Sequence, residues 1–308
     1  MSVIGIDTSN YTTSIAYFDG ETGVNCSRLL PVKPGELGLR QSDAVFAHTK
    51  SLPDLSGRLF SNAEVGKITA VGVSTRPRAV EGSYMPCFMV GYSHAKLLSD
   101  ALGVPLIEVS HQQGHVAASL WSAGHLELMD EPHLAWHLSG GTTELLLVEP
   151  EGKNVKCTKI GGTTDISAGQ LIDRTGVMLD LPFPAGKHVD ALSKEATMKE
   201  TFKVKCPGME FSLSGVQNKV QQFHQKNGVP AETAAFALRC VASAVFQATR
   251  NALKEYPGLK VVFSGGVASN SMLREVIAPL NPIFCEPQYS TDNAMGVAVL
   301  THRYTQEG

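Results

Sequence analysis

Two stretches of the chain share one pattern: an apolar strand, a short turn of glycine and hydroxyl residues, and a second apolar strand. The pattern spans residues 136–148, where Ser-Gly-Gly-Thr-Thr separates two apolar runs, and it recurs at residues 5–17. Such runs, bounded by turn residues, predict β-hairpins. A further glycine pair, Gly265 and Gly266, follows a predicted strand at 260–264 and leads into a predicted helix at 270–277.

The composition of these turns indicates a ligand. Glycine lacks a Cβ, so backbone N–H groups and hydroxyls can converge on an anion at such a turn. A single Gly-Gly pair would indicate an ordinary hairpin. Because the pattern recurs, and because Gly161 and Gly162 predict another turn of this kind, the sequence favours a phosphate-bearing ligand.

The order of elements also repeats along the chain. In the first half the hairpin is followed by a strand at 68–74 and by a helix at 90–102 that ends at Gly103; in the second half, a helix at 234–253 follows the hairpin. We therefore predict a duplicated α/β fold with lobes 1–133 and 134–308 and a central cleft. This arrangement resembles the actin-like ATPase superfamily, which includes sugar kinases and the heat-shock chaperone ATPase domain.

Composition narrows the class of protein. The 308 residues are 43% hydrophobic and 18% charged, with a net charge of −3, which argues against a broad nucleic-acid-binding face. No signal peptide and no apolar run of membrane-spanning length is found. The six cysteines form no close pair, which suits reduced thiols in the cytosol and offers no cysteine metal site.

Two histidines, His111 and His115, are four residues apart and fall on one face of a predicted helix. Their imidazoles could bind one cation together, with a third ligand from elsewhere. Spacing alone leaves this metal site and a pair of ordinary hydrogen-bonded histidines equally open. A zinc protease would need His-Glu-x-x-His, but Gln112 and Gln113 follow His111, so spacing counts against zincin-type proteolysis.

Motifs along nearly the whole chain resemble the tRNA threonylcarbamoyladenosine (TsaD/Kae/OSGEP) family, formerly labelled O-sialoglycoprotein endopeptidase. The His-x-x-x-His motif falls at His111 and His115, and Thr-Asp-Asn-Ala falls at residues 291–294. The remaining motifs match, with differences in identity, at residues 139–143, 164–174, 181–186, 211–215 and 265–270.

The resemblance implies an activity: transfer of a threonylcarbamoyl group from threonylcarbamoyl-AMP to N6 of adenosine 37 in tRNA. It implies one divalent metal, iron or zinc, with His111, His115 and Asp292 as both metal ligands and catalytic residues. ATP, AMP or the adenylate would be bound by twelve residues: His137, Leu138, Ser139, Gly140, Gly141, Thr142, Asp173, Gly186, Asp190, Gly265, Gly266 and Asn270.

Each of the two carboxylates in that nucleotide set has an ordinary alternative. Asp173 could form a salt bridge to a neighbouring arginine, and Asp190 could be a solvent-facing helix residue. The implied partners are tRNA and accessory proteins of the pathway, in a dimer or a hetero-complex located in the cytoplasm. Arg40, Arg76 and Arg78 are the local basic residues that we nominate for tRNA contact.

The chain departs from the family pattern at Thr142, where histidine is usual, and at Gln113, where bacterial members often have glutamate. The sequence at residues 75–83 and 35–42 also differs from the motifs that are usual in the family. These departures cluster in the first half and indicate a diverged paralogue. Two alternatives to the transferase therefore stand: a nucleotide- and metal-binding scaffold, and a metal-dependent glycoprotein endopeptidase.

Overall fold

Two β-sheets form the framework of the protein. The computed structural model describes residues 1–9, 11–31, 39–62, 65–291 and 293–306. The strands are β1 (Ser2–Ser9), β2 (Thr12–Phe18), β3 (Gly23–Leu29), β4 (Ile68–Arg76), β5 (Leu106–Ser110), β6 (His133–Leu138), β7 (Thr143–Glu151), β8 (Asn154–Thr163), β9 (Glu210–Phe211), β10 (Val261–Ser264) and β11 (Ile283–Phe284).

Nine α-helices lie among these strands in the described part of the chain. They are α1 (Gln41–Asn62), α2 (Phe88–Leu102), α3 (His111–Ser122), α4 (Ala168–Met178), α5 (Gly186–Ser193), α6 (Ser214–Asn227), α7 (Pro230–Glu255), α8 (Ser271–Ile277) and α9 (Met295–Thr305). None of the helices described is both long enough and apolar enough to cross a membrane.

Contacts divide the chain into two units. The first comprises residues 1–131, 149–157 and 292–308, and the second comprises residues 132–148 and 158–291. The division differs from the sequence division at 133/134 because α9, although last in the chain, packs on β1, β2 and β4 of the first unit.

The first unit is built on a five-stranded sheet in the order β3-β2-β1-β4-β5. Strands β1, β2 and β3 are antiparallel neighbours, whereas β4 and β5 run parallel to β1. Successive side chains of β1 point to opposite faces of the sheet. Ile4 and Ile6 therefore pack with Leu55 and Leu59 of α1 in one apolar cluster, while Gly5 faces α9.

Glycine allows α9 to approach its neighbours closely. A Cβ on Gly5 would lie 2.6 Å from the backbone nitrogen of Ala298, and a Cβ on Gly296 would overlap the carbonyl group of Gly114 in α3. Any larger residue at these two positions would push α9 away from β1 or α3. The helix that carries His111 and His115 is thereby fixed against the C-terminal helix.

The second unit is built on a six-stranded sheet in the order β11-β10-β6-β7-β8-β9. The alanine-rich helix α7 contributes many of its buried residues to the core of this unit. Trp136 of β6 is fully buried there and donates from Nε1 to Oγ1 of Thr249 in α7 at 2.8 Å. This bond satisfies the indole N–H inside the core, as a buried polar group requires.

Most of the elements predicted from pattern are present. Helix α2 ends where predicted, at Gly103, which adopts a left-handed φ of 65°. The hairpin at 136–148 is β6 and β7, and the helix predicted at 270–277 is α8, which the structure shows to be capped by Asn270. The glycine turn predicted at 161–162 is wrong, because Gly161 and Gly162 lie in β8, where a Cβ on Gly162 would overlap the carbonyl group of Thr143.

Asp165, which follows β8, holds the start of α6. Its carboxylate accepts hydrogen bonds from the backbone N–H of Leu213 at 2.8 Å and from the hydroxyls of Ser212 and Ser214 at 2.5 and 2.6 Å. Burial raises the pKa of Asp165, but these hydrogen bonds to the charged form outweigh it, so the pKa is held well below its usual value.

We expect Asp165→Asn to destabilise the second unit by about 1 kcal/mol at pH 7, the value for charge-assisted hydrogen bonds after allowance for solvent screening. A carboxyl group whose pKa is lowered by folding stabilises the folded state at pH values above its pKa in the unfolded chain. This stabilisation is lost as the pH falls through the pKa of the folded state. The difference should therefore shrink as the pH falls below about 4. Urea unfolding at several pH values measures it, with exposed Glu195→Gln as control; a pH-independent difference would contradict the assignment.

Candidate active site

His111 lies where β5 passes directly into α3. Ser110 caps the helix: its hydroxyl accepts from the backbone N–H of Gln113, and the Gln113 side chain accepts from the backbone N–H of Ser110 at 2.9 Å. This capping box begins the helix at His111. The side-chain nitrogen Nε2 of Gln113 also donates to the carbonyl of Val155 at 2.8 Å. The neutral side chain of Gln113 therefore bonds both to the start of α3 and to Val155.

The structure brings His111 and His115 together. Their Nε2 atoms lie 2.9 Å apart, and Nδ1 of His111 lies 2.8 Å from Oδ2 of Asp7, which is 1% exposed. Asp7 also accepts from the hydroxyl of Ser74 at 2.7 Å and from the backbone N–H of Ser9 at 2.9 Å. Donation from Nδ1 to a carboxylate leaves a lone pair on Nε2 of His111.

The 2.9 Å between the two Nε2 atoms is a hydrogen-bond distance, as expected for an ordinary hydrogen-bonded pair of histidines. The two nitrogens also converge as two ligands of one metal ion would. A carboxylate that accepts from the distal N–H of a metal-binding histidine sets its tautomer and ring orientation. Within the described ranges, no group of three or more His, Cys, Asp and Glu residues could hold a metal. The third predicted ligand, Asp292, lies outside the described residues, as do Asn10 and part of the divergent segment 35–42.

The turn between β6 and β7 is closed by its own hydrogen bonds and leaves its two glycines open. The backbone N–H of Ser139 donates to the carbonyl of Thr142 at 2.8 Å, and the backbone N–H of Thr142 donates to the Ser139 hydroxyl at 3.1 Å. Gly140 and Gly141 are exposed at its tip, with open space where a Cβ would stand. The preceding residues His137 and Leu138 end β6; Leu138 is buried and His137 is half-buried.

Helix α4 begins against this turn. The hydroxyl of its cap, Ser167, donates to the carbonyl of Gly140 at 2.6 Å, and a Cβ on Gly169 would lie 2.5 Å from the Gly140 Cα. Only glycine at 169 allows this approach. The first turn of α4 therefore lies against the exposed glycines. Its own N–H groups are engaged within the unit, since Ala168 donates to the Thr143 hydroxyl at 2.8 Å and Gln170 donates to the Ser167 hydroxyl at 3.0 Å.

Asp190 and Asn270 form a second cluster in the same unit. The side-chain amide of Asn270 donates to Oδ1 of Asp190 at 2.7 Å, and the backbone N–H and hydroxyl of Ser271 donate to the same oxygen at 3.0 and 2.8 Å. Lys194 lies 3.6 Å from Oδ2 of Asp190. The alternative that Asp190 simply faces solvent is wrong, because its side chain is only 19% exposed and is tied to α8.

Two glycines, Gly265 and Gly266, follow β10 in the second unit. Gly265 has a φ of 90°, and a Cβ there would overlap the carbonyl of Leu138, so the end of β10 closes on the end of β6. Gly266 is exposed, with open space beside it.

Asp173 of α4 orients the segment before α5. Its Oδ1 accepts from the backbone N–H of Ala185 at 2.8 Å, directly before Gly186, the first residue of α5. The alternative of a salt bridge to a neighbouring arginine is wrong, since Arg174 donates to Gln217 instead. Burial raises the pKa of Asp173, and the hydrogen bond from Ala185 opposes this only in part.

Sequence reasoning missed two members of the histidine cluster, Asp7 and Ser74. Asp7 is the one carboxylate of β1, and the residues before it, Val3 to Ile6, are apolar or glycine. A charged residue at a position that the strand pattern predicts to be buried indicates a cluster of polar side chains, because a buried charge requires partners. Ser74 carries no such signal.

Comparison with known proteins identifies the family. A family model described as tRNA N6-adenosine threonylcarbamoyltransferase (TsaD) matches residues 37–299. The chain belongs to the TsaD family. Proteins named tRNA N6-adenosine threonylcarbamoyltransferase include one from Carboxydothermus hydrogenoformans, 35% identical over 83% of this chain and 78% of its own length. Another, from Thermosipho africanus, is 30% identical over 100% of this chain and 96% of its own length.

Solved structures show the fold. Component A of the (R)-2-hydroxyglutaryl-CoA dehydratase of Acidaminococcus fermentans is 16% identical, with a TM-score of 0.56 over 99% of this chain and 98% of that one. A ROK hexokinase from Thermus thermophilus is 14% identical, with a TM-score of 0.53 over the whole of both chains. These neighbours confirm the predicted fold, which is the actin-like ATPase fold that sugar kinases share.

We expect His111→Ala and His115→Ala each to abolish binding of one equivalent of metal per chain, because each removes one of the two converging nitrogens. Asp7→Asn should keep both ligands but lower metal affinity by about 10- to 100-fold, the range for loss of a carboxylate behind a metal-binding histidine. Metal analysis of the purified protein and calorimetric titration with Zn²⁺ measure both effects. The exposed His125→Ala serves as control, and unchanged metal content in both histidine variants would show that the site is elsewhere.

We also expect Gly140→Val to prevent AMP binding while leaving the fold intact. The exposed turn has room for a side chain, but that side chain would occupy the space through which a phosphate reaches the backbone. Calorimetry with AMP tests this, with Gly57→Val, which also has open space beside it, as the matched control. Equal affinity of the two variants for AMP would move the phosphate site away from the turn.

Proposed function

We propose that this chain transfers a threonylcarbamoyl group from threonylcarbamoyl-AMP to N6 of adenosine 37 in tRNA. Membership of the TsaD family supports the reaction. The observation that carries the proposal is the convergence of His111 Nε2 and His115 Nε2, with the Asp7 carboxylate behind His111. In this reaction a bond forms between N6 and the carbamoyl carbon, N6 loses a proton, and the bond from that carbon to the AMP phosphate oxygen breaks.

The histidine pair would hold one divalent metal, iron or zinc, with Asp292 as the third ligand. When bound, the metal supplies Lewis-acid polarisation of the mixed anhydride. Asp7, held by Ser74 and Ser9, keeps the His111 ring in one orientation. The role of Asp7 is therefore one of positioning.

The turn from Ser139 to Thr142 would bind the phosphate of the adenylate. Its exposed glycines would offer backbone N–H donors to an oxygen whose negative charge grows as AMP departs, and the adjoining α4 would contribute the positive end of its macrodipole. His137 and Leu138 support the turn from β6, and Gly265 closes against Leu138. The chain thereby holds the leaving group without forming a covalent bond to it.

The nucleoside would lie against Gly186, Gly266 and the pair of Asp190 and Asn270. Carboxylate oxygens accept from ribose hydroxyls. Asp173 would act indirectly, since its bond to Ala185 fixes the start of α5 at Gly186. Asp190 is held from three sides by Asn270, Ser271 and Lys194, so it would present its carboxylate in one orientation.

The substrate would be tRNA, met through Arg40, Arg76 and Arg78 among other residues, with accessory proteins of the pathway completing a dimer or hetero-complex in the cytoplasm. The scaffold would retain the same nucleotide and metal sites, but it is not favoured, because the matching family model and the relatives are described as transferases. The endopeptidase is not favoured, because α3 carries Gln112 where a zincin carries its glutamate, and Gln113 is engaged in capping.

The chain, given threonylcarbamoyl-AMP, a tRNA with unmodified adenosine 37 and the accessory proteins of its own cell, should form threonylcarbamoyladenosine detectable by mass spectrometry. Asp292→Ala should abolish transfer, and the exposed Glu195→Ala should not. Adenylate binding without transfer to any tRNA would select the scaffold instead. Metal-dependent cleavage of a glycoprotein, lost in His115→Ala, would select the endopeptidase.

A further inference from the structure

A basic pocket lies in the second unit, at the C-terminal half of α7. Its volume is about 590 Å³, and its lining includes Lys203 and Lys205 from the segment before β9 together with Ser243, Gln247 and Arg250 from α7. None of these residues belongs to the phosphate turn, the Asp190 cluster or the histidine pair.

The sequence explains why two lysines face this pocket. Val204 is buried in the core of the unit, 7% exposed, and anchors the extended segment. Its neighbours Lys203 and Lys205 are therefore directed outward, and both are exposed. Further along, the side chain of Asn251 donates to the carbonyl of Gly208 at 2.5 Å and ties the segment to α7.

Helix α7 supplies the other wall. Ser243, Gln247 and Arg250 are spaced four and three residues apart and so lie on one helical face. The guanidinium of Arg250 donates from Nη2 to Oε1 of Gln247 at 2.9 Å, which orients it along that face.

The pocket concentrates positive charge that the chain itself does not neutralise. In the described part of the chain, Lys203, Lys205 and Arg250 form no ion pair with a carboxylate; the acids nearest to the lysines in sequence, Glu200 and Glu210, form none with them. Burial raises the pKa of the Cys206 thiol, so it adds no negative charge at neutral pH. Three cations brought together without a counter-charge indicate an anionic ligand.

The donor set favours the backbone of a nucleic acid. Arginine, lysine, serine and glutamine are among the residues that contact phosphate oxygens in protein–nucleic acid interfaces. An acidic protein partner would need a pocket for a buried aromatic or aliphatic anchor at the centre of its interface. The lining here contains no aromatic residue, and its one aliphatic residue, Val204, is already buried in the core.

We propose that the pocket formed by Lys203, Lys205 and Arg250 binds phosphodiester groups of the RNA substrate, apart from the residues assigned to the adenylate. The identity of the RNA as tRNA rests on the proposed function, whereas the phosphate-binding chemistry does not. The pocket would hold the tRNA backbone by its phosphates and carry no base specificity.

The test compares two triple variants of equal charge. The pocket variant is Lys203→Gln, Lys205→Gln and Arg250→Gln. The control is Lys67→Gln, Lys156→Gln and Lys226→Gln, which removes three exposed cations outside the pocket. Binding of an unmodified tRNA transcript is measured by fluorescence anisotropy between 50 and 200 mM KCl, together with AMP affinity and thermal unfolding of each variant.

We expect the pocket variant to bind tRNA about tenfold or more weakly than the control at 100 mM KCl. The slope of log affinity against log salt should fall by about 2 to 3 units, since each lost phosphate contact contributes about 0.7 to 0.9. AMP affinity and unfolding temperature should match the control. Lys205→Arg, which keeps the charge, should retain wild-type binding.

Equal tRNA affinity and equal salt slopes in the two triple variants would overturn this proposal and would point to a protein as the occupant of the pocket. The proposed function fails separately. If the wild-type protein binds tRNA through the pocket but forms no threonylcarbamoyladenosine, the transferase assignment is wrong and the phosphate-binding pocket stands.

Discussion

The hydrogen bonds to the buried carboxylate of Asp7 are the interaction on which the first unit depends. A charge in a fully buried strand costs several kcal/mol unless it is paired, and three elements supply the partners. Ser74 comes from β4, His111 from α3, and the backbone N–H of Ser9 from the end of β1 itself. The same bonds that stabilise this charge bring the end of β1, the end of β4 and the start of α3 to one point. The candidate site therefore lies where these three elements meet.

Close contacts between the backbone of α9 and its neighbours β1 and α3 also maintain this geometry. Helix α9 reaches β1 at Gly5 and α3 at Gly296, so the last helix of the chain supports the first strand and the helix with the histidine pair. These contacts join residues that are far apart in sequence. A pattern read along the chain could place the hairpins and helices, but it assigned α9 to the second lobe, because nothing local to residues 295–305 reports what they pack against.

The elements that could be predicted are those whose signals are local: the hairpins around two turns, the end of α2 at Gly103, and the helix α8 after the glycine pair. The error at Gly161 and Gly162 has a physical cause, since glycine serves both tight turns and strands that lie against another backbone. The histidine pair was visible as spacing, whereas Asp7 behind it and the three cations of the basic pocket were not. Arg250 is more than forty positions from Lys203 and Lys205, and the three become neighbours only because the segment that carries the lysines lies against α7.

The caps of α3 and α4 have a further electrostatic consequence. Both helices begin with Ser-x-x-Gln, as Ser110 with Gln113 and as Ser167 with Gln170, and neither has an acidic side chain in its first turn. A glutamate in either box would accept the same backbone hydrogen bond but would also neutralise the positive end of the helix macrodipole. With glutamine, that partial charge is left uncompensated by the helix itself. At α3 the carboxylate of Asp7 lies beside His111, the first residue of the helix, whereas at α4 the first turn lies against the exposed glycines of the turn from Ser139 to Thr142.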